Sequence, residues 1–328
     1  MKKNILVTGG AGYIGSTLVT LLLSKGYDVT VYDNLSFGGE SLFGAWMYPH
    51  FTLIKGDISD DALIDSVLAV NHFDTIVHLA AMVGDPACAK QPERARKVNY
   101  DSSLGLLQCA LKHKVRQFIF ASTCSNYGRM LDPSGYVDEL SPLAPISLYA
   151  ELKVKMEEAI LESAHARDWF YPVILRFATV FGVSPRMRLD LTVNEFTKEL
   201  ALGRELVVFG EQFCRPYCHV QDIARAVMLA IENNLGRSGG FVYNVGDSEQ
   251  NYPKQEIVDE IRKVIPEARV KYVKKLEDPR DYRVSFEKIK KELGFKSSKT
   301  LLDGIKEVKF IIDNNCLLDP DDKKYKNS

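Results

Sequence analysis

The stretch ISLYAELKVK, residues 146–155, holds Tyr149 and Lys153 four positions apart. On a helix that spacing sets a phenol and an ammonium on one face, where such pairs often do no more than line a surface. With 15 tyrosines in the chain, roughly one Tyr-x-x-x-Lys arises by chance, so the spacing gains meaning only from its surroundings. The chemistry on offer is proton transfer. A free phenol, with a pKa of about 10, is a poor base at neutral pH, but a nearby ammonium stabilises phenolate and lowers that value. The pair can then take a proton from an alcohol while a hydride leaves the same carbon, given an acceptor for the hydride. A third polar group to hold the reacting oxygen comes from ASTCSNYG, where Ser122 and Thr123 stand at the end of an apolar run.

A site for the acceptor lies in the N-terminal segment. TGGAGYIGS, residues 8–16, contains Gly10-x-Gly12-x-x-Gly15 between a strand-like run and a helix-like one. Small residues there let the backbone approach a pyrophosphate, the free amides of the helix start donate to it, and the helix dipole favours its charge. VYDNLS then puts Asp33 about 20 residues beyond the glycines, where a carboxylate accepts from the adenosine ribose hydroxyls and repels a 2′-phosphate. The expected cofactor is therefore NAD rather than NADP. Asp57 of GDISD has two readings: it meets the adenine edge, or it forms a turn or caps a helix. No metal is expected, because the six cysteines (88, 109, 124, 214, 218 and 316) include no CxxC, and Cys214 with Cys218 lacks a second ligand pair. They read as reduced cytosolic thiols.

These groups need a scaffold that brings strand ends together. From residue 3 to about 180, NILVTG, DVTVYD, FTLIKGD, TIVHLA, QFIFAS and YPVILRF read as buried strands. Helix-period segments such as YIGSTLVTLLLSKG, DDALIDSVLAV and NYDSSLGLLQCALKHK separate them. This alternation specifies an α/β fold, a Rossmann-type doubly wound parallel sheet. Beyond residue 180 the pieces are mixed and predict a smaller α/β substrate lobe. The expected organisation is a cofactor domain at 1–180 carrying the catalytic residues, a region at 181–318 that is mainly substrate lobe, and a fraying polar tail at 319–328.

The formal net charge is −1, with 46% hydrophobic and 26% charged residues, which gives no pull toward nucleic acid or acidic lipid. No stretch approaches 18 apolar residues, so no membrane span is expected. MKKNILV starts like a signal peptide, but TGGAG interrupts it, and the cytoplasm is the expected compartment.

TGGAGYIG, YDN, GD, HLAA, STCSNYG, YxxxK, LRFATVFG, RPYCHVQDIA and DPRDYRVS run through nearly the whole chain in one order. In that ordered set the sequence resembles the extended short-chain dehydrogenase/reductase superfamily, in its NAD-dependent nucleotide-sugar epimerase/dehydratase branch. The resemblance implies Thr123 as the hydroxyl on the reacting oxygen, Tyr149 as acid/base, and Lys153 as the group that tunes it and holds the nicotinamide ribose. It implies a cofactor path through Gly9, Gly12, Tyr13, Ile14 and Gly15, then Asp33, Asn34, Asp57 and Ile58. Leu79, Ala80 and Ala81 of HLAA, Asn99 of KVNY and Ser122 complete that path with Tyr149 and Lys153. Thr123 and Thr179 would meet the sugar, and Arg215, Arg280 and Asn194 the nucleotide diphosphate. Planar guanidinium groups suit such a diphosphate, though by themselves they read equally as solvated charges.

Departures from the family narrow the chemistry. Its 4,6-dehydratases carry an Asp-Glu pair directly after the threonine, where this chain has Cys124 and Ser125. Many of its epimerases carry an asparagine where this chain has Thr179. His78 reads as structural. VFGVSPRMRLDLTVNEF is similar to a subgroup that includes GDP-heptose 4-dehydrogenases, and Arg186 and Arg188 in it either touch substrate or brace the lobe. The leading expectation is 4-epimerisation of a nucleotide sugar: oxidation of the 4-hydroxyl and hydride return to the opposite face. Net oxidation or reduction at carbon 4 is the alternative, and a non-catalytic NAD sensor is an alternative of another class. The family resemblance also implies a homodimer through a four-helix bundle of NYDSSLGLLQCALKHK and SLYAELKVKMEEAILESAHA from each subunit.

Overall fold

The computed structural model describes residues 3–128, 130, 135–233, 241–274 and 281–327. Its first part alternates as the sequence predicts: β1 (Asn4–Thr8), α1 (Tyr13–Ser24), β2 (Asp28–Asp33), β3 (Phe51–Lys55), α2 (Asp61–Val70) and β4 (Thr75–His78). Two short helices, α3 (Asp85–Lys90) and α4 (Pro92–Arg96), lead through a π turn into α5 (Ser102–Lys112) and β5 (Gln117–Thr123). Then come α6 (Leu148–His165), β6 (Tyr171–Phe177) and β7 (Thr179–Phe181).

The second part comprises α7 (Thr192–Ala201), β8 (Leu206–Phe209), β9 (Cys214–His219), α8 (Val220–Glu232), β10 (Phe241–Val245) and β11 (Asn251–Pro253). α9 (Lys254–Arg262), β12 (Val270–Val273), α10 (Glu287–Leu293) and α11 (Leu301–Asp313) follow.

Seven strands form one sheet in the order β10-β6-β5-β4-β1-β2-β3, every pair parallel. The order reverses direction at β1 and β4, so a crevice opens beyond their C-terminal ends. Both faces are buried, which is why these strands read as near-continuous apolar runs. α1 and α8 cover one face, with Leu18, Val19, Leu22, Ile223 and Val227 in that core. On the other face α2, α5 and α6 supply Ile64, Leu106, Leu107, Met156 and Ile160. This is the Rossmann-type doubly wound fold.

A cut at residue 180 does not hold in space. α8 packs on α1, and β10 pairs with β6 at the edge of the main sheet, so both return from the downstream part to the cofactor domain. The remaining downstream elements form a smaller lobe of two short sheets, β11-β9-β7 and β12-β8, with α7, α9 and α11 around Ile257, Ile261 and Ile305. The tail does not fray either. Tyr325 O accepts from Leu189 N at 2.8 Å, Asn327 N donates to Asp190 at 2.9 Å, and Asp321 pairs with Lys198 and Arg204. One tail carboxylate, Asp321, thus finds two cations on the lobe, which the polar composition alone did not reveal.

Candidate active site

The cofactor cradle forms where β1 meets α1. Gly9 adopts φ +74°, and a side chain there would strike the Ala80 amide at 2.6 Å. A Cβ on Gly15 would meet Gly9 O at 2.2 Å, so strand and helix close on each other only because both positions are glycine. Gly12 caps α1 without any side-chain bond, which leaves the first-turn amides for an anion. Asp33 ends β2 and accepts from Ala11 N at 2.9 Å and Leu35 N at 2.8 Å, fixing its carboxylate beside the glycine turn. Burial raises its pKa against those two bonds. Cradle, open helix start and carboxylate together fit a dinucleotide.

Neighbouring residues divide into those that line the cradle and those that shape it. Asn34 donates to Asp57 Oδ2 at 2.7 Å, and Asp57 Oδ1 takes Ser59 N and Oγ. Burial works against the Asp57 carboxylate, but the bonds from Asn34 and Ser59 outweigh it and hold the carboxyl below its ordinary pKa. Asp57 is thus a turn former that also clamps Asn34, and the cap of α2 is Asp60. Ile58 is buried beside them. After β4, Leu79 N donates to Thr8 O, and buried Asn99 grips both main-chain groups of Met82 at 2.7 and 2.8 Å. Asn99 therefore acts on the Leu79–Ala80–Ala81 segment through its backbone. His78 is structural, held between Thr8 Oγ1 and Ser103 Oγ, with burial and then the positive Lys153 pushing its pKa down to about 3.

Three expected ligands have their side chains committed elsewhere. The Tyr13 hydroxyl donates to Gly182 O at 2.6 Å, so Tyr13 offers the cradle only its main chain beside Ile14. Ser122 donates to Glu157 and accepts from Asn126. Asn194 is fully buried: its Oδ1 accepts from Gly182 N, and its Nδ2 serves Gly182 O, Tyr13 Oη and Arg188 O. No polar atom of it remains for a diphosphate. It is a latch that joins β7, α1 and the 183–190 loop.

The candidate catalytic residues lie at the end of β5 and the start of α6. Ser147 caps α6 through Ala150 N while donating to Asp85, and the helix then carries Tyr149, Lys153 and Glu157 at successive four-residue steps. Lys153 Nζ donates to Ala121 O at 2.7 Å, 4.5 Å from the Phe120 ring centroid and 5.9 Å from that of Tyr149. Glu157 takes the Arg176 guanidinium through both oxygens, with the closest approach 2.7 Å. This buried pair, also bonded by Asn126, ties α6 to β6 beneath the site. Thr123 is half-buried at the strand tip, and its Oγ1 accepts from Ser125 N at 3.1 Å. One lone pair is thereby filled, which leaves the hydroxyl proton to donate.

The electrostatics depart from a phenol tuned by Lys153. In the protein alone burial, then Cys88 and Asp85, push the Tyr149 phenol above its ordinary pKa; Arg188 is the cation that opposes them. Burial also draws Lys153 down to about 8. Desolvation is the leading cause at both groups.

At the dehydratase positions, Cys124 Sγ points into the core and donates to Arg176 O at 3.2 Å, while Ser125 lies 3.3 Å from the Tyr282 hydroxyl. Thr179 begins β7 opposite Tyr217 of β9, two residues beyond Arg215, whose guanidinium lies 5.9 Å from the Tyr282 ring. Arg280 lies outside the described residues. Among the described residues no cluster of three or more His, Cys, Asp or Glu is arranged for a metal ion.

Arg176, Glu157, Asp85 and Cys88 were not singled out by sequence. A charged residue inside YPVILRF and a carboxylate two helical steps beyond Tyr149 were the available signals for the first two. Asp85 and Cys88 carried none.

The profile of the NAD dependent epimerase/dehydratase family matches residues 5–246. The chain is 33% identical over 279 residues to a UDP-glucose 4-epimerase of Halalkalibacterium halodurans, covering 79% of this chain and 80% of that one. It is 34% identical over 319 residues to a dTDP-glucose 4,6-dehydratase of an Actinoplanes species, covering 92% and 95%. Among solved structures, a Thermotoga maritima UDP-glucose 4-epimerase with UDP-glucose superposes at a TM-score of 0.83, with 28% identity and coverage of 96% and 100%. The chain belongs to the NAD-dependent epimerase/dehydratase family of the extended short-chain dehydrogenase/reductases, and it is an NAD-dependent enzyme of that family.

Proposed function

We propose that the enzyme epimerises a nucleotide-diphosphate sugar at carbon 4. The observation that carries the reading is the trio Thr123, Tyr149 and Lys153 beside the dinucleotide cradle, with no carboxylate at 124 or 125 to drive loss of water. When bound, NAD accepts a hydride from the sugar carbon and returns it. Tyr149 Oη takes the proton of the 4-hydroxyl and gives it back, and Thr123 donates to the same oxygen. Lys153 keeps a cation on the face where negative charge develops. Arg215, Arg280 and Thr179 hold the nucleotide sugar, and after the keto sugar has turned over, the opposite face receives the hydride. UDP-sugar 4-epimerases among the relatives support this reading. Net oxidation at carbon 4 shares the first half of the sequence and is favoured by Thr179 standing in place of the epimerase asparagine.

The same reading takes the protein as a cytoplasmic homodimer. Six unpaired cysteines suit a reducing compartment. Among the described residues no helix is long and apolar enough to cross a membrane.

The test is mass spectrometry, with chromatographic separation of epimers, on UDP-, GDP-, CDP- and dTDP-sugars incubated with the enzyme, with and without 2-oxoglutarate. A new isomer of unchanged mass is expected. A product lighter by two hydrogens replaces epimerisation with net oxidation, and a product lighter by one water overturns both.

A further inference from the structure

The loop between β7 and α7 crosses the start of α1. Ser184 Oγ donates to Tyr13 O at 2.6 Å and sits 3.1 Å from Ser16 Oγ, and Arg186 N donates to Ser16 Oγ at 3.3 Å. The loop thus carries a guanidinium from the substrate lobe to the first turn of the helix whose open amides face the cofactor. Arg186 is only 6% exposed and lies 4.2 Å from the ring centroid of Phe37, in the segment that follows Asp33.

Among the described residues no carboxylate is hydrogen-bonded to its guanidinium. Nη2 donates to Lys326 O at 3.1 Å, Nε donates to nothing among the described residues, and neighbouring Asp190 is engaged through both oxygens by Arg188. Burial, then Arg188, pulls the Arg186 pKa down to about 10 against the opposing charge of Asp190. A cation taken out of water without a carboxylate or full hydrogen bonding is costly, and a fold that retains one there gains when an anion arrives.

From the buried guanidinium, its unbonded Nε, the Ser16 and Ser184 contacts and the Phe37 stack, we propose that Arg186 is a second anchor for the diphosphate of the dinucleotide. The glycine turn binds that diphosphate through main-chain amides from one side. Arg186, held from behind by the C-terminal tail, supplies a charge from the other. The inference concerns cofactor binding alone, so it stands or falls independently of which sugar is converted.

The experiment is calorimetric titration of NAD, ADP-ribose and UDP into cofactor-stripped wild-type protein and Arg186→Gln, with thermal melts of both proteins without ligand. For Arg186→Gln, Kd for NAD and for ADP-ribose should rise together by about 10- to 100-fold, the scale of one hydrogen bond to a charged group. UDP binding should stay unchanged. The ligand-free variant should melt no lower than wild type, because a buried unpaired charge has gone. Unchanged NAD and ADP-ribose affinity overturns the proposal, as does a loss confined to NAD or to UDP. So does a lower ligand-free melting temperature with unchanged affinity, the signature of a brace. Should the glutamine variant fail to fold, Arg186→Lys keeps charge but loses the fork, and its Kd for ADP-ribose should still rise about 3- to 10-fold. An unchanged Kd there also overturns the proposal.

Discussion

At the residue scale the central fact is that both members of the Tyr149–Lys153 pair are held in their less charged direction by burial. Tyr149→Phe removes one oxygen and keeps the ring packing, so turnover should drop roughly 10²- to 10⁴-fold while calorimetry finds NAD binding intact. A variant that turns over at the wild-type rate would leave the pair as a buried packing contact with no part in proton transfer. Lys153 makes a separate prediction about stability. Its folded pKa of about 8 lies below the unfolded value of 10.5, so between those pH values the unfolded chain binds more protons and stability rises with pH. Below about pH 8 the penalty for the buried ammonium is fully present. Ligand-free Lys153→Met should therefore be at least as stable as wild type at pH 7 in urea titrations, and the rise between pH 8 and 10.5 should flatten. Its activity should nevertheless fall, with the apparent pKa of turnover moving upward as the phenolate loses a cation. The positions of Tyr149, Lys153, Thr123 and the glycines were legible because strand ends and helix steps fix where such residues go. The sign of the phenol's shift was not, because burial is a property of the assembled site and of residues such as Asp85 and Cys88 that are distant in sequence.

At the scale of elements, the strands and helices of the large sheet were readable from period and composition, since both faces of a parallel sheet are buried and its strands are apolar throughout. The short strands β7, β9 and β11 were not. CRPYCH mixes charged, aromatic and small residues, and it becomes a strand through its pairing with NYP and TVF. Asn194 belongs to the same lesson: the family resemblance implies a diphosphate contact, whereas its polar atoms are bonded to Gly182, Tyr13 and Arg188. Asn194→Ala should leave Gly182 N and Arg188 O without their partner in a dry site, while Gly182 O keeps the Tyr13 hydroxyl. Urea unfolding should show a loss of about 2–4 kcal/mol, taking one to three kcal/mol for each unmet buried group with partial relaxation. A diphosphate ligand would instead show a higher Kd for UDP with stability near wild type, and that outcome would restore the substrate role.

At the scale of the whole molecule, the chain passes from the large-sheet domain to the smaller lobe and back, with α8 packing on α1, β10 pairing with β6 and the tail closing over the 183–190 loop. Sequence order hid this, since a helix or strand carries no mark of which core it will join. The return passes tie the two regions together, and the downstream part contacts the segments after β1 and β5, through Tyr13–Gly182 and Ser125–Tyr282. They leave α5 and α6 side by side on the opposite flank, packed on each other and on the sheet through Leu106, Leu107, Met156 and Ile160. Their outer faces keep Leu104, Leu111, Val154 and Leu161 only half-buried among Gln108, Lys155 and Glu158. A second copy related by two-fold symmetry would cover those leucines and make four helices of two, with each catalytic Tyr149 carried on an interface helix. Light scattering at micromolar concentration should give twice the chain mass, and Leu104→Arg should lower it toward one chain while circular dichroism stays native. Because α6 also positions Tyr149 and Lys153, the separated chain should lose turnover more than it loses NAD affinity, to which the glycine turn between β1 and α1 contributes independently of α6. A wild-type chain that scatters as a monomer would place those half-buried residues among ordinary surface positions and leave α6 fixed by Ser147 and the Glu157–Arg176 pair alone.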